Sequence, residues 1–140
     1  MIKNWLSKKI DINEKIKDEL TQRAQKDAWL FTFDRDEDAF FYSPQIIPDG
    51  AELFNVNGEF SVYLDKQKNL CGVVLEYSRH NFIEHHQEFK ETFEKFFEKD
   101  AKDDVKIIDP NRSPNNEMKM FQKLFERTLI AEAAGARIHI

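Results

Sequence analysis

The side chains best suited to chemistry lie in a short histidine-rich segment of the C-terminal half. His80, Glu84 and His85 could supply nitrogen and oxygen ligands to a divalent metal ion. Helical zinc sites usually place two imidazoles four residues apart, but no two histidines of this segment have that spacing, whereas Glu84 and Glu88 do. His86 falls on an apolar stripe and is interpreted as a core or boundary histidine. We therefore predict no cofactor, with a metal site at His80, Glu84 and His85 as the alternative.

Three aspartates have the spacing that opens a calcium-binding loop: Asp34, Asp36 and Asp38. Such a loop also needs a glycine at its sixth position and a glutamate at its twelfth. This chain has Ala39 and Gln45 at those positions. The three aspartates are therefore interpreted as a solvated turn, whose carboxylates are candidates for contact with a partner protein.

The remaining residue types give no support for nucleophilic catalysis, and no catalytic residue is predicted. The single cysteine, Cys71, lies in an apolar segment beside Gly72 and is interpreted as a small buried side chain. A single cysteine excludes an internal disulfide and favours a reducing compartment. No apolar run reaches the roughly 18 residues that a membrane span needs. A cytoplasmic location without membrane contact is therefore expected.

The negative charge of the chain is concentrated in its middle third. Residues 29–77 carry three basic and nine acidic side chains, a balance of −6, while the whole chain has a net charge of −5. This segment should repel duplex nucleic acid, because binding a phosphate backbone requires clustered lysine and arginine. A basic protein is the electrostatically favoured partner. Asp65, in a second polar turn, joins the three aspartates above as a predicted partner-binding residue, since turns expose their side chains.

Alternating apolar residues predict one antiparallel sheet of three to five strands between residues 29 and 77. Phe31 and Phe33 alternate with Leu30 and Thr32, which is the pattern of a strand with one buried face. The expected strands are 29–33, 39–42, 51–54, 59–64 and 70–77. A further apolar run at residues 105–108 could be a strand or a linker.

Helical periodicity precedes the sheet. Apolar or small side chains recur every four residues from Ile12 to Ala28, and Asp11 with Glu14 has the spacing of a capping box. A short turn around Trp5 is expected before this helix. Residues 1–28 are therefore predicted to be helical.

Helical periodicity also follows the sheet. One stripe contains Phe82, His86, Phe89, Phe93 and Phe96, and Phe97 widens it. A last helix is expected to begin at Ser113 and Pro114 and to end near Gly135. The chain is thus predicted to be a single α+β domain, in which the N-terminal helices and the helices of residues 78–140 cover one face of the sheet.

Several short motifs occur between residues 30 and 78. An expected strand rich in aromatic residues ends at Phe33 and Asp34. After the acidic turn of residues 34–38, a second aromatic strand runs to Tyr42. A hairpin then carries Asp65, and Gly72 precedes aliphatic residues and Glu76. These motifs resemble a bacterial domain family of unknown function, number twenty-two eighty-three. The resemblance implies a small antiparallel sheet with helical cover and, as for some members, an antitoxin-like role. No functional residue can be carried over, because none is established in that family.

Two functional hypotheses of different class follow. The first is a non-enzymatic interaction module, antitoxin-like, whose acidic sheet and turn surface binds a basic protein. The second is a small metal-dependent enzyme or metal-binding protein that uses the cluster from His80 to Glu88. A co-purified basic protein would support the first hypothesis, and a bound transition metal would support the second.

Overall fold

The computed structural model describes residues 9–98, 104–112 and 115–139 and shows an α+β fold. One antiparallel sheet and the helices that pack on it make up most of this part of the chain. In chain order, the helices and strands of the described residues are β1 (Lys9–Asp11), α1 (Ile12–Lys26), β2 (Leu30–Asp34), β3 (Ala39–Ser43), β4 (Glu52–Asn55), β5 (Phe60–Leu64), β6 (Leu70–Leu75), α2 (Ile83–His85), α3 (Lys90–Phe93), β7 (Val105–Ile108), α4 (Asn116–Glu132) and β8 (Arg137–His139).

The main sheet has six antiparallel strands in the spatial order β4-β5-β6-β3-β2-β7, and β1 pairs with β8 in a separate ribbon. The predicted α+β class is confirmed, although the main sheet exceeds the predicted limit of five strands. The additional strand is β7, which pairs Ile108 with Phe31 and Val105 with Asp34. A run of four residues is too short for periodicity alone to distinguish a strand from a linker.

Aromatic side chains fill the space between one face of the sheet and the helices. Phe31 stacks on Tyr42 with 4.4 Å between ring centroids, and it meets Phe121 and Phe125 edge-on at 5.4 and 5.6 Å. Offset and edge-to-face contacts of this kind are favoured between aromatic rings. The largest fully buried side chains come from both layers: Trp29, Phe31, Phe33, Phe40, Tyr42, Phe60, Phe82, Phe89, Phe97 and Phe125.

The opposite face of the sheet is covered in part by the connection from β3 to β4. Ile47 of this connection lies over Gly72 of β6, beside Ser43 and Tyr63. A Cβ atom at Gly72 would lie 3.2 Å from the Ser43 Cβ and 3.3 Å from the Tyr63 ring. The glycine therefore allows these side chains to approach the strand closely.

Helix α1 forms as its sequence predicts, whereas Lys9–Asp11, also predicted to be helical, form strand β1 because they pair with β8. The Asp11 carboxylate accepts a hydrogen bond from the Glu14 backbone N–H at 3.2 Å, which is the expected N-cap contact. The predicted stripe extends to Ala28, but the buried stripe ends at Ala24. Ala28 lies beyond the end of α1, is exposed and has a positive φ of 50°. The predicted turn around Trp5 lies outside the described residues. The buried side chains of α1 are Ile12, Ile16, Leu20 and Ala24.

Helix α4 is capped by a different residue from the one predicted. Ser113 and Pro114, the predicted start, lie outside the described residues. Asn115 is the N-cap, and its side chain accepts a hydrogen bond from the Glu117 N–H at 2.8 Å. The helix ends shortly before Gly135, as predicted, and Gly135 has a φ of 78° that favours glycine.

The helical segment between β6 and β7 is less regular than predicted. In place of one continuous helix, π-helical turns occur at Ser78–Phe82 and Glu94–Glu98, and a 3₁₀ turn occurs at Gln87–Phe89. A π-helical turn bonds residues five apart instead of four, so it shifts the position that faces the core. Phe97, predicted at the side of the stripe, is fully buried, whereas Phe96, predicted on the stripe itself, is only half-buried.

Phe89→Asp is expected to destabilise the fold strongly, whereas Lys90→Asp should have little effect. Phe89 is 1 % exposed and packs edge-on against Phe121 at 5.4 Å, so the variant would bury an unpaired carboxylate. Loss of the aromatic side chain alone costs about 3–5 kcal/mol. The Lys90 side chain is exposed. Urea denaturation measures both variants, and equal free energies of unfolding would show that the stripe faces solvent.

Candidate functional site

The acidic turn between β2 and β3 is only partly exposed. The Asp34 carboxylate accepts a hydrogen bond from the Glu37 N–H at 3.2 Å, and Asp36 is exposed. Asp38, in contrast, is 6 % exposed and has a positive φ of 51°. The prediction that the Asp38 side chain is solvated is therefore wrong. Its carboxylate turns inward because it bonds the chain that follows β6.

Asp38 joins this turn to the first residues after β6. Its Oδ1 accepts hydrogen bonds from the Arg79 backbone N–H at 2.9 Å and from Arg79 Nε at 3.0 Å. Its Oδ2 lies 2.7 Å from His80 Nδ1. Burial by itself raises the pKa of Asp38, but the hydrogen bonds from Arg79 and His80 outweigh burial and lower that pKa below its ordinary value.

Asp65 lies at the other end of the sheet. Its Oδ1 accepts hydrogen bonds from the Gln67 and Asn69 N–H groups, both at 2.9 Å, and these stabilise the β5–β6 turn. Because β5, β6 and β3 alternate in direction, the β2–β3 and β5–β6 turns lie at opposite ends of the strands. The predicted partner-binding residues therefore do not form one continuous surface.

The metal ligands proposed from the sequence are also separated. His80 contacts Asp38, whereas His85 Nδ1 lies 2.5 Å from Glu59 Oε1. The Glu84 side chain is exposed to solvent. Within the described ranges, His80, Glu84 and His85 do not form a group whose ligand atoms meet.

A different cluster brings potential ligands together next to β5. It consists of Glu59, His86 and Glu132, and it is the one such group of three within 4.8 Å in the part of the chain that the structure describes. His86 Nε2 lies 3.4 Å from Glu59 Oε2 and 3.1 Å from Glu132 Oε1. The side chains of His86 and Glu59 are each 15 % exposed, and that of Glu132 is 30 % exposed.

Three separate elements position this cluster. Glu59 immediately precedes β5, Glu132 is the last residue of α4, and His86 breaks the helical segment after α2 with φ −132° and ψ 71°. The Asn57 side chain accepts from the Glu59 N–H at 2.8 Å and donates to the Glu132 carbonyl at 3.4 Å. The His86 ring packs on the Phe82 ring at 4.4 Å. These contacts hold all three ligand-bearing residues against the fold.

Two further side chains contact the cluster from outside. His85 Nδ1 lies beside Glu59 Oε1, the oxygen that does not face His86. Glu88 Oε1 lies 3.6 Å from His86 Nδ1. Metal-bound histidines usually direct their second ring nitrogen to such a carboxylate, carbonyl or water, which fixes the tautomer and the ring orientation.

A second, partly buried polar group joins α1, α4 and β3. Gln122 Nε2 donates to the Tyr42 hydroxyl at 2.7 Å, and the Tyr42 and Thr21 hydroxyls each donate to a Glu126 carboxylate oxygen at 3.2 Å. Burial raises the pKa of Glu126, and burial and the Glu126 charge raise that of Tyr42. Both carboxylate oxygens are bonded within the protein, so we interpret this group as a structural link.

Burial also raises the pKa of Cys71 to about 11, which disfavours a reactive thiolate.

Sequence reasoning missed Glu59 and Glu132, and it assigned His86 to the core boundary. These residues are far apart in the chain, and no spacing rule connects them. Their contact depends on the end of α4 lying next to the start of β5. The available local signal was the turn at Asn57 and Gly58, which places Glu59 at the start of a strand.

Comparisons of the chain with protein families, with curated proteins and with solved structures gave no significant match. The resemblance to the bacterial family of unknown function therefore stays a prediction. Across the described ranges, no helix is both long and apolar enough to cross a membrane.

Asp38→Asn is expected to lower the free energy of unfolding at neutral pH by roughly 1–3 kcal/mol, because charge-assisted hydrogen bonds are weakened. The folded-state pKa of Asp38 lies below its ordinary value of 3.8. The stabilising contribution is therefore present above pH 3.8 and is lost as the pH falls through the folded-state pKa. Urea denaturation at falling pH should show wild type and variant converging. Asp36→Asn is the exposed control, and an equal effect of both variants would contradict this account.

Proposed function

We propose that the protein binds a divalent transition-metal ion through Glu59, His86 and Glu132. The observation that carries the proposal is the convergence of three ligand atoms, from elements distant in the chain, within 4.8 Å. The proposal keeps the metal hypothesis raised by the sequence but changes its ligands. It also departs from the expectation that no cofactor is bound.

The distances between the ligand atoms support a shared ion. Ligands about 2.1 Å from a divalent ion lie roughly 3.0 to 3.4 Å from each other in octahedral or tetrahedral geometry. The separations of 3.1 and 3.4 Å between His86 Nε2 and the two carboxylate oxygens fall in this interval. An ion could therefore enter with small side-chain adjustments. The competing explanation is a direct ion pair between protonated His86 and the two glutamates.

The types of ligand favour zinc, manganese or iron(II) over calcium or magnesium. Imidazole suits transition metals, whereas calcium and magnesium prefer oxygen ligands alone. Two carboxylates and a neutral imidazole carry two negative charges, which a divalent ion neutralises. Three protein ligands leave a coordination position open to water or to an oxygen atom of a small molecule. The site thus has the composition of a metal centre that can take an external ligand.

Titration calorimetry of the chelator-treated protein with Zn²⁺ and with Mn²⁺ tests this proposal. We expect one equivalent to bind, and we expect Glu132→Gln to weaken binding by at least about tenfold, because an amide oxygen is a poorer ligand than a carboxylate. Glu84→Gln is the matched control, since it makes the same change at an exposed site near His86. This control should bind as wild type does.

Two results would overturn the metal proposal. One is that neither ion binds to the wild-type protein, and the other is that both glutamine variants lose affinity equally. Either result would assign the cluster to an ion pair between protonated His86 and the carboxylates. In that account, Glu132→Gln would lower the stability of the fold without affecting metal binding.

A further inference from the structure

The free edge of β7 has the properties of a binding surface separate from the metal cluster. Within the described ranges, no strand lies beyond β7, so the main sheet ends there. The apolar side chains of Val105 and Ile107 are 44 % and 55 % exposed. Exposed edge strands of this kind are templates for the addition of another strand.

The backbone of β7 also offers hydrogen-bonding groups at this edge. The Arg35 N–H donates to the Asp104 carbonyl at 2.8 Å, which extends the β2–β7 ladder by one pair. In an antiparallel ladder, alternate residues bond the neighbouring strand. Asp104 therefore faces β2, whereas Val105 and Ile107 direct their N–H and C=O groups away from β2. An added strand could bond these two residues without displacing a backbone hydrogen bond of the described ranges.

Acidic side chains flank both ends of this edge. Because Val105 pairs with Asp34, the acidic β2–β3 turn lies at one end of β7. At the other end, an open groove of about 450 Å³ is lined by Ile107, Asp27 and Asp109 among others. The flanking carboxylates in the described residues are Asp27, Asp34, Asp36, Glu37, Asp104 and Asp109. The nearby cations in the described residues include Lys106 on β7 itself, Arg35, 3.7 Å from Asp104, and Arg112, 3.5 Å from Asp109. The six carboxylates are therefore only partly balanced.

We propose that the β7 edge binds an extended segment of a partner protein, in which apolar and polar residues alternate and lysine or arginine lies at each end. Backbone hydrogen bonds would pair the segment with Val105 and Ile107, and its apolar side chains would cover theirs. Its basic ends would lie beside the acidic groups. A second copy of this chain fits less well, because two-fold pairing of β7 strands would place the acidic end of one copy against the acidic end of the other.

The probe is a synthetic ten-residue peptide of alternating valine and threonine, with two lysines at each end and a fluorescent label. The matched probe has the same centre with glutamate at each end. We expect the lysine-ended peptide to bind in fluorescence anisotropy, with an affinity that falls as salt is added. The glutamate-ended peptide should bind at least about tenfold more weakly.

Ile107→Pro tests whether the backbone of this edge makes the contact. Proline removes one outward N–H and no bond to β2, so we expect peptide binding to weaken by about fivefold or more. Leu53→Pro is the matched control on β4, the opposite edge. Leu53 is also exposed, and its N–H also faces outward, since the Val56 N–H donates to the Phe60 carbonyl in the β4–β5 ladder. This control should bind as wild type does.

Several outcomes would overturn the proposal. Equal binding of the two peptides would remove the charge argument, and equal weakening by the two proline variants would place the contact elsewhere. Self-association in sedimentation velocity that Ile107→Pro abolishes would assign the edge to a second copy.

Thermal denaturation shows whether the proline variants fold. If Ile107→Pro does not fold, the exposed pair Asp36→Asn and Glu37→Gln replaces it, and an unchanged affinity at low salt overturns the proposal.

Discussion

The packing of phenylalanine rings between the sheet and the C-terminal helices is the constraint on which the rest of the structure depends. Phe40 meets Phe97 at 5.2 Å and Phe125 at 5.3 Å, so one strand residue contacts two separate helical elements. Aromatic rings are large and rigid, and close packing leaves few positions for each. The chain between β6 and β7 therefore adopts irregular turns in place of one regular helix, because these turns bring its rings to the available positions.

The same irregular segment carries the polar groups of interest. Arg79, near the start of the segment, connects both ends of the segment to the β2–β3 turn. Its guanidinium forms ion pairs with Asp38 of that turn at 3.0 Å and with Glu98, at the end of the segment, at 3.1 Å. His86 lies at the break in the middle of the segment, with an aromatic ring on one side and carboxylates on the other. A ligand group held in this way needs little rearrangement to bind an ion, which is the condition for a preorganised site.

Local patterns allowed the sheet segment and α1 to be predicted, because alternation and four-residue spacing depend only on neighbours in the chain. Asp38 could not be predicted to be buried, since its partner Arg79 comes from beyond β6. The regular period placed both Phe96 and Phe97 on or beside the stripe, but it did not predict that Phe97, within a π-helical turn, would be the more deeply buried of the two. The cluster of Glu59, His86 and Glu132 depends on tertiary packing for all its contacts, so only its histidine drew attention in the sequence.

The place of β7 in the sheet has a consequence for the order in which the fold assembles. Among the described strands, β7 pairs with β2 alone, and four strands and the irregular helical segment separate the two in the chain. Closing so long a loop has a large entropic cost, and contacts distant in sequence slow folding. We therefore expect β7 to join the sheet late and its amides to exchange with solvent through local opening. A partner strand added at this edge would slow that exchange, because it binds only when β7 is in place.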